Sequence, residues 1–278
     1  MDHTDCTPDA PPLVLEFDGA TAILMLNRPG QRNALDQPLR DALADAVVRV
    51  RDDPEVKAVV LAGAGGHFCA GGDIRSGLDT RGDVFEGRDR MLKSHRWFEQ
   101  LVDLEKPVIA AIEGSAFGAG LSLALAADFV LANSGALFCS AFVRLGYVPD
   151  MGAMYLLPRA VGLSRAKAMV FTGQVVPSAE ALASGLVHQI CEGDVLQQAQ
   201  ALARTFHAAP TQAIGLAKSV MNQAFEADRR SVLALEAMAQ AICRESAFHN
   251  EAVRRFLAKE QPLYAWSEPA PVTKVSHG

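Results

Sequence analysis

The chain has 278 residues, half of them hydrophobic, and a net charge of -6. That length buries one sizeable core. Acidic and basic residues are interspersed, so neither the basic face of a nucleic-acid binder nor a like-charge block is present, and the expected partners are small molecules or proteins.

Residues 1–12 are polar and proline-bearing, a flexible N-terminal tail without a basic n-region or an apolar h-region, and no apolar run is long enough to span a bilayer. The expectation is a cytoplasmic protein that does not engage a membrane. Leu13 to Phe17 and Thr21 to Leu26 are β-rich runs around Asp18-Gly19, which predicts an opening hairpin. A helix is predicted from Asp36 as N-cap, with Pro38 in its first turn and Leu39, Leu43, Ala46, Val47 and Val50 on one face. Val56 to Ala62 reads as a buried strand running into a small-residue turn from Gly63 to Asp73, where Asp73 is placed to cap a short helix. Thr80 to Gly87 reads as a charged loop before a helix from about Val84 to Leu104. Pro107 to Ile112 is the next strand, and a second turn with Gly114, Gly118 and Gly120 feeds a buried helix that ends near Asp128. Phe129 to Ala132, Leu137 to Cys139 and Leu186 to Cys191 are short strands, Arg144 to Gly152 is a turn, and Leu163 to Phe171 and Ser178 to Ser184 are short helices.

From Asp194 the strand signals stop and alanine- and leucine-rich helices follow, including Asp228 to Ser246 with Val232, Leu235, Met238 and Ile242 near one face, and Asn250 to Lys259. This divides the chain into the tail 1–12, a core 13–193 carrying the site, a helical C-terminal region 194–260 and a second tail 261–278. Five cysteines, Cys6, Cys69, Cys139, Cys191 and Cys243, are scattered, with no C-x-x-C pair and no metal-ligand spacing, as expected of a reducing compartment and of a chain without a metal.

Two units of strand, small-residue turn and helix recur, near residues 56–78 and 107–127. A single such turn is equally well explained by helix packing. Two of them, on neighbouring parallel strands, would bring backbone N–H groups together at one sheet edge, where they could hold a developing oxyanion; each such donor contributes about 2.7–4 kcal/mol to a transition state.

The run from Phe68 to Ile74 and the run from Ile112 to Gly120 resemble the two oxyanion motifs of the enoyl-CoA hydratase/isomerase, or crotonase, superfamily, and Leu145 to Asp150, Leu156 to Gly162 and Thr172 to Val187 add to the resemblance. It covers about Leu13 to Lys259. The implied fold is α/β, a crotonase-like core of repeated ββα units with a helical C-terminal oligomerisation region, forming homotrimers or dimers of trimers. The implied substrate is an acyl-CoA thioester, with coenzyme A as its carrier and no other cofactor. By the same resemblance the N–H groups of Ala70 and Ala119 polarise the thioester carbonyl. Gly71, Gly72, Asp73, Ile74 and Phe142 are counted with the substrate-binding residues, Phe256 and Lys259 contact the CoA nucleotide, often in a neighbouring subunit, and Arg28 is a further contact on the phosphate side.

Hydratases of the superfamily use two glutamates, and their positions hold Ser122 and Phe142, neither able to act as a carboxylate base. Asp150 stands where isomerases of the superfamily carry a single acid, which implies double-bond isomerisation. Without the resemblance, Asp150 reads as a turn residue after Pro149. Phe142, Tyr147 and Met151 are expected to enclose it and raise its basicity by desolvation. Three alternatives remain: a thioesterase using Ser122, although the G-x-S-x-G pattern lacks its last glycine and an activating histidine; hydratase-like chemistry; and a silent acyl-CoA binder. His95 reads as a helix-surface residue.

Overall fold

A computed structural model of the chain describes residues 10–75 and 83–265. Strands β1 (Leu13–Asp18) and β2 (Thr21–Leu26) form an antiparallel hairpin in which Asp18 faces Thr21, so the two-residue turn is Gly19-Ala20, one position later than expected. Asn27 donates from its backbone to the Pro12 carbonyl (2.7 Å) and from its side chain to that of Pro11 (3.0 Å), so residues 11 and 12, assigned to the tail, are fixed to the hairpin.

Helix α1 (Gln37–Asp52) is capped by the Asp36 carboxylate, which accepts from the Leu39 N–H, and buries the five residues its periodicity predicts. Strands β3 (Ala58–Gly63) and β4 (Val108–Ile112) are parallel neighbours. With β6 (Phe129–Asn133) and β9 (Gln189–Cys191) they extend a six-stranded sheet in the order β1-β2-β3-β4-β6-β9. A smaller sheet joins β5 (Ser115–Phe117), β7 (Leu137–Cys139) and β8 (Val175–Pro177).

Helix α2 (Val84–Val102) starts behind an Asp83 cap, at the position expected, so residues 84–87 of the predicted loop are its first turn, while residues 80–82 lie outside the described residues. The central helix α3 (Ala119–Leu125) is followed by α4 (Ala153–Val161), α5 (Leu163–Thr172), α6 (Ser178–Ala183), α7 (Val195–Thr205), α8 (Thr211–Met221), α9 (Arg229–Arg244) and α10 (Ala247–Ala258).

Both faces of the large sheet are covered at its central strands, which is why β3 and β4 read as unbroken apolar runs. Along β3 the side chains alternate. Val59 and Leu61 pack with Leu39, Leu43, Val47, Trp97 and Phe98 on one face. Ala58, Val60 and Ala62 pack on the other face with Val195, Ala199, Leu202 and Phe206. Helix α7 is therefore part of the core, which runs past the boundary drawn at residue 193. Tyr264 packs against this second cluster as well, so the segment from 261 to 265 is not a free tail. Helices α9 and α10 bury no residue in the single chain. Among the described residues no helix is long and apolar enough to cross a membrane.

Candidate active site

The turns after β3 and β4 are laced together. Cys69 donates its N–H to the Ser115 carbonyl (2.8 Å) and accepts from the Phe117 N–H (3.0 Å), while Gly118 donates to the Cys139 carbonyl (2.8 Å). At Gly71, φ is +105°, and a Cβ there would stand 2.8 Å from the Phe117 carbonyl oxygen and 3.5 Å from the Ala119 nitrogen, so only glycine fits. The ring of Phe142 reaches the same place, with Cζ 4.0 Å from a Cβ built on Gly118.

This lacing decides which N–H groups are left for a ligand. Ala70, assigned to the oxyanion pair, donates its N–H to the Arg32 carbonyl at 2.9 Å. That group is bonded within the chain and is not left for a ligand. Leu35 donates to the Gly71 carbonyl (2.7 Å) and Asp73 donates to the Leu35 carbonyl (3.0 Å), a parallel bridge that turns the Gly72 N–H to the opposite side. Among the described residues the N–H groups of Gly72 and of Ala119, the first residue of α3, have no hydrogen-bond partner.

The acid is held close by. Ser122, three residues along α3 from Ala119 and on the same helix face, is fully buried and donates its hydroxyl to the main-chain carbonyl of Asp150 (2.9 Å), which also accepts from the Ala153 N–H (3.1 Å). Next to the acid, Met151 is buried with φ at +46°, a conformation that costs a side-chain-bearing residue about 1–2 kcal/mol. The Asp150 Oδ1 is buried without a partner. Burial pushes the Asp150 carboxyl above the usual range, opposed by the charges of Arg40 and His95.

The expected rise in basicity is thus present, but its source differs. Tyr147 is 68 % exposed and does not enclose the acid. His95, read as a surface residue, has its Nε2 buried without a partner and faces Asp150. Burial raises the neighbouring Cys69 thiol to about 12, so it stays protonated and is no nucleophile.

Other expected binding residues are occupied or exposed. Arg28 is held by Asp36 and Asp73, each at 3.0 Å, and donates to the Ala34 carbonyl. Its guanidinium clamps the loop before α1 to the first turn and is not free for a phosphate. Asp73, besides holding Arg28, accepts from the Arg75 N–H (3.1 Å), the short cap anticipated for it. Ile74 is exposed. Phe256 is 82 % exposed on α10 and Lys259 ends that helix in a left-handed conformation; among the described residues no side-chain hydrogen bond or ion pair ties either to the site. Arg40, which had no assigned part, lies beside both Gly72 and the Asp150 loop. No motif carries it, and only its pairing across the fold reveals it.

A family model described as enoyl-CoA hydratase/isomerase matches residues 16–267. The 1,2-epoxyphenylacetyl-CoA isomerase of Escherichia coli K12 is 36 % identical over 247 residues, covering 87 % of this chain and 93 % of that protein. The short-chain-enoyl-CoA hydratase of Clostridium acetobutylicum is 33 % identical over 251 residues, covering 90 % of this chain and 95 % of that protein. Among solved structures, an enoyl-CoA hydratase/isomerase from Cupriavidus metallidurans CH34 superposes with a TM-score of 0.87 at 35 % identity, over 94 % of this chain and 98 % of that one.

Proposed function

This chain belongs to the enoyl-CoA hydratase/isomerase family, and from that premise we propose that it moves a carbon–carbon double bond within an acyl-CoA thioester, with Asp150 as the single acid/base. The observation that carries this reading is one part-buried carboxylate with a buried, unsatisfied oxygen, on a loop tied by Ser122 to α3, whose first N–H, that of Ala119, is unpartnered like that of Gly72, with Ser122 and Phe142 where a second carboxylate would be needed.

In a 3-enoyl thioester the Asp150 carboxylate removes a proton from the carbon next to the carbonyl. The C–H electron pair moves into the conjugated system and the charge settles on the thioester oxygen, which accepts hydrogen bonds from the Gly72 and Ala119 N–H groups. Protonated Asp150 then returns the proton to the far end of the former double bond, and the 2-enoyl ester leaves with unchanged mass. Burial suits the carboxylate to the first half of this cycle, because a raised pKa makes it a better base. Hydration would need a second group to activate water. A Ser122 thioesterase is disfavoured because the Ser122 hydroxyl is buried and committed to a carbonyl. The CoA moiety is the substrate's carrier, and copies of the chain would assemble through α9 and α10 as trimers or pairs of trimers in the cytoplasm.

The test is a turnover screen of 3-enoyl, 2-enoyl and aryl-CoA esters, including an epoxide of the kind in the name of the Escherichia coli relative, followed by absorbance and mass. Conversion of a 3-enoyl to a 2-enoyl ester without mass change is expected, with a fall of about 10²–10⁴-fold in Asp150→Asn while the ester still binds. A gain of one water refutes the single-acid reading; free acid plus CoA would promote Ser122.

A further inference from the structure

Arg40, on α1, carries its guanidinium to a junction of three segments far apart in sequence. Its Nη1 donates to Ser94 Oγ (3.3 Å) on α2 and to Met151 Sδ (3.5 Å) beside the acid, and its Nη2 lies 3.7 Å from where a Cβ on Gly72 would stand. No ion pair ties it down at short range among the described residues. Burial works against the charge of Arg40, and of the charged groups around it Asp150 compensates it most, with Asp36 adding to it and Arg90 opposing. From the other side, Asp150 faces Arg40 on α1 and His95 on α2.

We propose that Arg40 is a positioning residue for Asp150, tying the acid's loop to the Gly72 turn through Met151 and keeping a fixed positive charge beside both. This rests on Asp150 being the acid/base proposed above. When Asp150 takes the proton, one negative charge leaves its carboxylate and one appears on the thioester oxygen held by Gly72 and Ala119. A cation beside only the acid would lose its counter-charge at that moment and oppose the transfer. Arg40 touches the Asp150 loop and also lies against the Gly72 turn, so the anion stays within its reach before and after the step. Arginine suits the task because it does not give up its own proton in a protein.

The experiment follows Asp150 by carbon-13 NMR of aspartate-labelled protein, its signal identified by its absence in Asp150→Asn, through a pH titration of the parent, Arg40→Met, Arg40→Gln and Arg40→Lys. The expected result is a midpoint raised by about one pH unit or more in the two neutral variants and close to the parent's in Arg40→Lys, with the acid limb of kcat/KM moving in step. An unmoved midpoint in the neutral variants, or an equal shift in Arg40→Lys, overturns the proposal. Arg40→Gln, which keeps a donor for Ser94, is read if Arg40→Met does not fold. If Asp150→Asn retains turnover, the catalytic assignment falls, whereas a shifted midpoint would still establish the pairing of Arg40 with Asp150.

Discussion

At the scale of single residues the site is built from groups kept at a cost to stability. A buried carboxylate oxygen without a partner costs roughly 1–3 kcal/mol, and a neutral side chain of the same shape relieves part of that. Burial lifts the Asp150 carboxyl above its unfolded value near 3.9, so its contribution to stability is full below that pH and is lost as pH rises through the folded value. Asp150→Asn should therefore be more stable than the parent at neutral pH, by about 1 kcal/mol or about 2 °C in Tm, and the gain should shrink toward pH 4. Thermal melts across that range check it, and a variant less stable at pH 7 would contradict it. Ser122→Ala removes the hydroxyl that holds the Asp150 carbonyl, so kcat should fall by about tenfold, with KM little changed and no loss of product mass balance. Asp150 could be singled out in the sequence because its loop follows a family pattern. The free N–H of Gly72 and the placement of Arg40 could not, because both are set by partners distant in the chain: the Arg32 carbonyl takes the Ala70 N–H, and Ser94 and Met151 take the Arg40 guanidinium.

At the scale of elements, the two turns work because α3 lies directly on the first of them. A Cβ on Gly120 would press into the Cys69 carbonyl oxygen and stand 2.8 Å from the Cys69 Cβ. Neither group has room to move, since Cys69 is fully buried and bonded on both sides to β5. Gly120→Ala should cost about 3 kcal/mol and displace the Ala119 N–H, so both the urea midpoint and turnover fall. Gly87→Ala, in α2 with open space around it, should instead be neutral or stabilising by up to about 1 kcal/mol. Equal midpoints for the two variants would mean that α3 is not seated on Cys69. The long elements were readable from periodicity, as α1 shows. Among the short ones β7 and α6 were readable as well, but β5 was not: it has three residues between two glycine turns, too few for an alternation to register. Helix α4 contains Pro158, which breaks the helical pattern yet is accommodated in its last turn.

At the scale of the whole molecule, the chain leaves one pair of helices without a core of its own. Helix α9 exposes Leu233, Met238 and Ile242, and α10 exposes Val253, Phe256 and Leu257, while neither buries a residue in the single chain. An amphipathic pair exposing this much apolar surface is stable when another protein surface covers it. Phe256 and Lys259 belong to this same pair, and under the proposed function they contact the CoA nucleotide bound in a neighbouring copy. Light scattering at micromolar concentration should give the mass of three or six copies, and Met238→Glu combined with Ile242→Glu should give single copies with an unchanged circular dichroism spectrum. In those single copies KM for the acyl-CoA ester should rise about tenfold or more, because the shared nucleotide contacts are lost, while Asp150 keeps its partners on α1, α2 and α3. A parent of one-copy mass would refute assembly through this face. An unchanged KM in the dissociated variant would return the nucleotide contacts to the chain that binds the thioester.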